Sequence, residues 1–172
     1  MSPRARPDSA PTTPADPAER AREIALRLLT HSSRSEEQLR EGLLSRDVDA
    51  VIADELIARY REVGLLDDSA LAASIARTRH SERGKSRRAI DQELRRKGFS
   101  AEDIGDALDQ ISADDEWEAA RTLAAKRWNS LNGHDEQVKV RRVVGMLGRK
   151  GYSPDLAFGV VKELQRADRA DT

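Results

Sequence analysis

Cysteine is absent from all 172 residues. That excludes disulfides, thiolate metal ligation and a cysteine nucleophile, while leaving the compartment open. No apolar run approaches the roughly 18–20 residues that a membrane span needs, and no signal-peptide core is visible near the N-terminus. A cytoplasmic protein without membrane contact is therefore expected. Aromatic residues amount to only 3%, and strand-type stretches rich in aromatic and β-branched residues are missing. Five of the six prolines fall within residues 1–17, among Ser, Thr, Asp and Ala. Such a stretch cannot bury enough apolar area to offset its ordering entropy, so a disordered tail is expected there.

What is present is charge: 35% of the chain is Asp, Glu, Lys or Arg. With abundant alanine and leucine, this is the composition of a helical protein with thin cores and much solvated surface. The net charge of -1 hides strong segregation. Residues 77–97 carry nine Lys/Arg against three Asp/Glu, residues 101–120 carry eight acids and no base, and residues 126–150 carry seven bases against two acids. A molecule polarised in this way is suited to meet a polyanion on one face.

From Ala18 onward the apolar period is that of amphipathic helices. Ala21, Ile24, Ala25, Leu28 and Leu29 mark a first buried face. Ser35 is placed to cap a second helix, with Gln38 closing a capping box and Leu39, Leu43 and Leu44 as its stripe. Asp49 caps a third, with Val51, Ile52, Leu56, Tyr60 and Val63 expected inward and Gly64 ending it. The pattern then repeats. Asp68 or Ser69 opens a helix through Leu71, Ile75 and Ala76; Ser86 opens one with Ile90 and Leu94; Ser100 caps one with Ile104, Ala107, Leu108 and Ile111. In the last third, Trp117, Ala120, Leu123, Ala124 and Trp128 line one helix, and Val140, Val143, Val144 and Leu147 the next. Ser153 caps the final helix, with Pro154 at its first turn and Leu156, Val160, Val161 and Leu164 inward.

Two joints, Arg96-Lys97-Gly98-Phe99-Ser100 and Arg149-Lys150-Gly151-Tyr152-Ser153, match position for position and lie 53 residues apart. The corresponding place in the first third is Arg46-Asp47-Val48-Asp49. Glycine there takes the left-handed conformation that ends a helix, the next apolar residue tucks into the core, and Ser or Asp caps the following helix. Asp47 replaces glycine at modest cost. The expected fold is all-α: three tandem three-helix units in an elongated array, straight or curved. The expected limits are a tail over 1–17, units over 18–66, 67–112 and 113–167, and a short tail over 168–172. The first unit reads as the acidic, best-capped one.

Chemistry is hard to find. Gly84-Lys85-Ser86 resembles the end of a phosphate-binding loop, but position 79 is Arg79 where the motif needs glycine, and the flanks are helical. His31, His80 and His134 are isolated, without the helical partners of a metal site. No catalytic residue, metal or cofactor is expected, and no enzyme. The basic clusters are the signal. Arg77, Arg79, Arg83, Lys85, Arg87, Arg88, Arg95, Arg96 and Lys97 crowd the middle unit. Lys126, Arg127, Lys139, Arg141, Arg142, Arg149 and Lys150 hold a comparable place in the last. They are expected to contact nucleic acid or acidic groups of a protein. With so few aromatics among them, base stacking on single strands is not suggested.

These residues resemble the RecX family, bacterial regulators of the RecA recombinase. The resemblance covers 18 to about 166 and rests on Arg34-Ser35-Glu36-Glu37-Gln38-Leu39, Gly64-Leu65-Leu66-Asp67-Asp68 with Leu71-Ala72, Arg79, Gly84, Glu93-Leu94-Arg95-Arg96-Lys97-Gly98-Phe99 and Arg149-Lys150-Gly151-Tyr152-Ser153. Leu71 stands where the family often has Phe, and Asp47 where glycine is common. The resemblance implies tandem three-helix units and a non-catalytic monomer that binds RecA and its filament on DNA. It also implies inhibition of RecA's ATPase, strand exchange and co-protease activities, with effects on recombination, DNA repair and the SOS response. Weak direct binding to single- or double-stranded DNA is compatible with it. The alternatives are a helix-turn-helix-like protein that binds DNA through the basic middle unit, and a helical adaptor for an unrelated partner.

Overall fold

The computed structural model describes residues 16–170. The expected N-terminal tail falls outside them except for Asp16 and Pro17, which open the first helix rather than ending a tail. Nine helices and no strand are present among the described residues. The first unit comprises α1 (Pro17–His31), α2 (Glu36–Leu44) and α3 (Ala50–Glu62); the second, α4 (Asp68–Ser81), α5 (Arg87–Arg96) and α6 (Ala101–Asp109). The third comprises α7 (Ala113–Ser130), α8 (Glu136–Arg149) and α9 (Pro154–Ala170), so α9 continues past the expected limit at residue 167.

The helices start where the short polar side chains predict. Ser35 and Gln38 form a full capping box on α2, Asp49 caps α3, Ser86 caps α5 and Ser100 caps α6. α4 opens at Asp68, one of the two residues expected to open it; the cap is Asp67, whose carboxylate accepts from Ala70 N at 3.0 Å. The first unit is not the best capped. Every helix of the second also has a side-chain cap, and α7 has its own capping box from Ser112 and Asp115.

The three joints superimpose in sequence. Asp47, Gly98 and Gly151 all have positive φ (59°, 80° and 93°), and each is followed three residues later by the first residue of α3, α6 or α9. Counting from these positions, Leu43, Leu94 and Leu147 are equivalent, as are Leu39, Ile90 and Val143, Ala53, Ile104 and Ala157, and Leu56, Ala107 and Val160; all are buried. Val48, Phe99 and Tyr152 are the buried residues that tuck in after the joint. The core is three separate clusters, one for each unit. Two expected inward residues, Val51 and Val63, are instead 64% and 58% exposed, because Ala53, Leu56, Ile57 and Tyr60 form the inner face of α3. Val140 and Val144 are only half-buried, beside the fully buried Val143 and Leu147.

Units of about fifty residues are marginal alone, so the seams between them matter. The joint of each later unit docks on the N-terminus of the middle helix of the unit before. Ser35 is fully buried; its Oγ accepts from Gln38 N at 3.1 Å and donates to Lys97 O. Asp68 accepts from Glu36 N at 3.0 Å. At the next seam, Ser86 N donates to Lys150 O at 3.0 Å, Glu116 accepts from Arg87 N at 2.9 Å, and Tyr152 OH donates to Gly84 O at 3.0 Å. The chain thus approaches so closely that a methyl group at Gly98 would stand 2.6 Å from Glu37 Cβ, and one at Gly151 2.5 Å from Ser86 Oγ. This explains Asp47. Among the described residues no other unit lies against the first joint, where Arg46 O accepts instead from Arg20 at 3.0 Å, and a side chain is tolerated. The far end of the array differs too. Lys139 holds the place of the cap serines, twelve residues before the joint, and α8 starts one turn earlier.

Candidate partner and polyanion interface

The sixteen basic residues expected to bind a partner divide into two sets by what they already hold. Glu93, buried against α4, accepts from Arg79 Nε at 2.8 Å and from Lys85 Nζ at 3.2 Å. The Arg79 hydrogen bonds, with further help from Lys85, outweigh the cost of burial and hold the Glu93 carboxyl down at about 2. These two cations are therefore part of the second unit's own framework. Lys139 lies 4.9 Å over the Trp128 ring and 3.5 Å from Asp168, whose carboxylate also accepts from Trp128 Nε1. Lys150 Nζ donates to Arg83 O at 2.7 Å across the second seam. Arg77 donates to Gln110 at 3.0 Å, Arg142 approaches His134 at 3.4 Å, and Arg95 pairs with Asp91 at 2.8 Å. These last three are exposed. The Arg95–Asp91 pair lies at the surface, is weakened by solvent screening and opens readily to an external anion.

The second set makes no side-chain hydrogen bond or ion pair among the described residues: Arg83, Arg87, Arg88, Arg96, Lys97, Lys126, Arg127, Arg141 and Arg149. Arg87 and Lys97 are half-buried and the others exposed. Two of these pairs repeat. Arg88 and Arg141 occupy equivalent places on α5 and α8, and Arg96 and Arg149 end the same two helices one residue before the C-cap lysine. The first unit has Glu37 and Ser45 at those places. The structure therefore presents one cationic station on each of two successive units, built by the repeat itself, and none on the first.

Other features are structural. The cleft at the first seam is lined by Glu36, Asp67, Asp68 and Asp103 with Arg61. Arg61 pairs there with Glu36, and burial pushes the Asp68 carboxyl up. Gly84 has φ +60° and ends a turn after α4, packed on Leu123; no strand precedes it among the described residues, so the Gly84-Lys85-Ser86 segment is a helix-cap turn. No group of three or more His, Cys, Asp or Glu suited to a metal ion occurs among the described residues, and no helix there is long and apolar enough to cross a membrane. Sequence reasoning assigned no role to Glu93, which it named only as the start of a family mark and counted among three acids in a basic stretch. It also missed the apolar groove formed by Val140, Val144 and Phe158, because half-exposed valines carry the same helical period as buried ones.

Comparison with known proteins places these units in order. Residues 21–59 match the family model of the first three-helix domain of RecX, residues 67–108 that of the second and residues 114–161 that of the third. The "Regulatory protein RecX" of Streptomyces coelicolor (strain ATCC BAA-471 / A3(2) / M145) is 42% identical over 159 residues, covering 92% of this chain and 85% of the relative. That of Thermobifida fusca (strain YX) is 37% identical over 162 residues, covering 94% and 88%. The crystal structure of RecX from Lactobacillus salivarius has a TM-score of 0.76 at 26% identity, covering 88% of this chain and 98% of that one. A further crystal structure, of regulatory protein RecX, has a TM-score of 0.72 at 30% identity, covering 87% and 73%. Since all three domains match in order and named regulatory relatives cover nearly its full length, the chain belongs to the RecX family.

Proposed function

We propose that this protein is a non-catalytic, monomeric cytoplasmic regulator that binds RecA and its nucleoprotein filament. Through that binding it inhibits RecA ATPase, strand exchange and co-protease activity, and so modulates recombination and repair. The observation that carries the reading is the recurrence of Arg88 and Arg96 as Arg141 and Arg149 on the next unit, exposed and without internal partners among the described residues. A target that offers anionic groups at regular intervals, as a DNA-bound filament does, is matched by cations at regular intervals. Family membership supports RecA as the protein component. The working units of the array are taken to run over 18–66, 67–112 and 113–167.

The test is the ATPase rate of RecA on single-stranded DNA, titrated with this protein, alongside direct binding to the filament. Inhibition that saturates near stoichiometric or lower ratios is expected; an unchanged rate together with no detectable binding overturns the proposal. The same arginines support a second reading, direct binding to duplex DNA. It predicts tight binding to bare duplex that falls steeply with salt, whereas the first predicts weak binding to bare duplex and tight binding only with RecA present.

A further inference from the structure

The repeat is an internal control on which surfaces the fold requires. Positions 40 and 54 of the first unit are equivalent to 91 and 105 of the second and to 144 and 158 of the third, counted from Asp47, Gly98 and Gly151. In the first unit Arg40 Nε donates to Asp54 at 2.7 Å, joining α2 to α3 across their groove. The second unit has Asp91 and Gly105 there. In the third the same places are Val144 and Phe158. Phe158 is 48% exposed, and the two residues with Val140 and Gly145 form an apolar groove of about 760 Å³ between α8 and α9. Two units of three show that the fold does not need apolar groups there.

Two further observations describe what fits the groove. Gly145 and Gly148 sit inside α8, where glycine is less favourable than alanine. Packing within the chain does not demand them: a methyl group at Gly148 would meet nothing within 4 Å, and one at Gly145 only the Arg149 guanidinium at 3.4 Å. Gly145 bares the α8 backbone in the groove wall, and Gly148 does so three residues further along the helix, which lets another backbone approach closely. At the rim, Glu136 is already held by Arg169 at 3.1 Å and by Gln165. Arg141 lines the same groove and has no ion-pair partner among the described residues. The unmet charge is positive.

We propose that the α8–α9 groove of the third unit is a docking surface for an amphipathic helix of a protein partner. The helix's apolar stripe covers Phe158 and Val144, and one of its carboxylates meets Arg141. This is the helix-in-groove mode of recognition, with a charge at the edge to set register. The inference rests on the RecA reading, since it takes the recombinase as that partner; Arg141, at the rim, is shared between this groove and the cations that face a polyanion, whereas Val144 and Phe158 belong to the groove alone.

The experiment compares the wild-type protein with Val144→Arg/Phe158→Asp, which installs the first unit's own ion pair at the equivalent places. Binding to RecA assembled on single-stranded DNA and to bare duplex at low salt is measured by fluorescence anisotropy, with circular dichroism as the readout of folding. The expected result is filament binding weakened at least tenfold, with duplex binding within twofold of wild type and helicity kept. Phe158→Ala, on an exposed groove residue, is the second variant; it is expected to lose about tenfold on the filament, with duplex binding unchanged, even if the double variant does not fold. Wild-type affinity for the filament in both variants overturns the groove. Failure of the wild-type protein itself to bind the filament overturns the RecA reading and the groove's assigned partner with it. Concentration-dependent dimerisation of the wild type, abolished in the double variant, makes a second copy the occupant and overturns the proposal.

Discussion

Replacing Glu93 by glutamine removes one charge from the centre of the second unit and almost no volume. The wild-type carboxylate is 11% exposed and bound to both Arg79 and Lys85. These bonds hold it at about 2 against an ordinary 4.5. At about 1.36 kcal/mol for each pH unit of difference, the two cations stabilise the folded state by about 3 kcal/mol at neutral pH. Glutamine retains the shape but leaves Arg79 and Lys85 side by side without a counter-charge, and losses of about 3–5 kcal/mol are usual for a buried pair broken on one side. The sign with pH follows from a carboxyl held low in the folded state. Its contribution is fully present above the unfolded value near 4.5 and is lost as pH falls towards 2. Urea unfolding of wild type and Glu93→Gln, followed by circular dichroism at pH 7, 5 and 3, should therefore show a gap of about 3 kcal/mol at pH 7 and 5 that narrows by pH 3. A gap below about 1 kcal/mol at pH 7, or one that stays constant to pH 3, refutes the role given to Glu93. A second readout checks the division of the basic residues. The variant frees two cations, so its affinity for duplex at low salt should rise.

Two other outcomes follow from the same structure. Gly151→Ala adds both left-handed strain and a clash with Ser86 and Ala89, for a destabilisation of about 2–5 kcal/mol, whereas Gly64→Ala, at φ +76° with nothing within 4 Å, adds only strain, about 1 kcal/mol. Thermal melts that rank the two equally would refute the close approach at the second seam. Neutralising Arg88 and Arg141 to glutamine should flatten the salt dependence of DNA binding by about 0.9 for each phosphate no longer neutralised, with melting temperature unchanged; an unaltered slope would remove these two from the interface.

Much of the fold was legible because its signals are local. Helix period depends on neighbours three and four residues away, and Ser35, Asp49, Ser86 and Ser100 cap through their own next few backbone groups. The repeat was legible for the same reason: a left-handed glycine followed by an aromatic residue and a capping serine is a five-residue device. The errors were of orientation. Val51 and Val63 fit the α3 period but lie on its outer side, since a helical period leaves the width of the buried stripe open. Of the two residues expected to open α4, Asp68 does so; which of the adjacent polar side chains caps it is decided by geometry, and that is Asp67.

By itself the sequence determined an all-helical chain of three related units, the position of each joint and the two cation-rich stretches, all properties of composition and short-range spacing. Only the tertiary structure decided what those residues face. It committed Arg79 and Lys85 to Glu93, left Arg88, Arg96, Arg141 and Arg149 exposed, and opened the Val144–Phe158 groove. It also gave Asp47 its reason. Gly98 and Gly151 must be bare because another unit lies against them, and no described unit lies against the first joint. That distinction depends on bonds such as that between Ser35 and Lys97, 62 residues apart, and no local pattern in the chain encodes them.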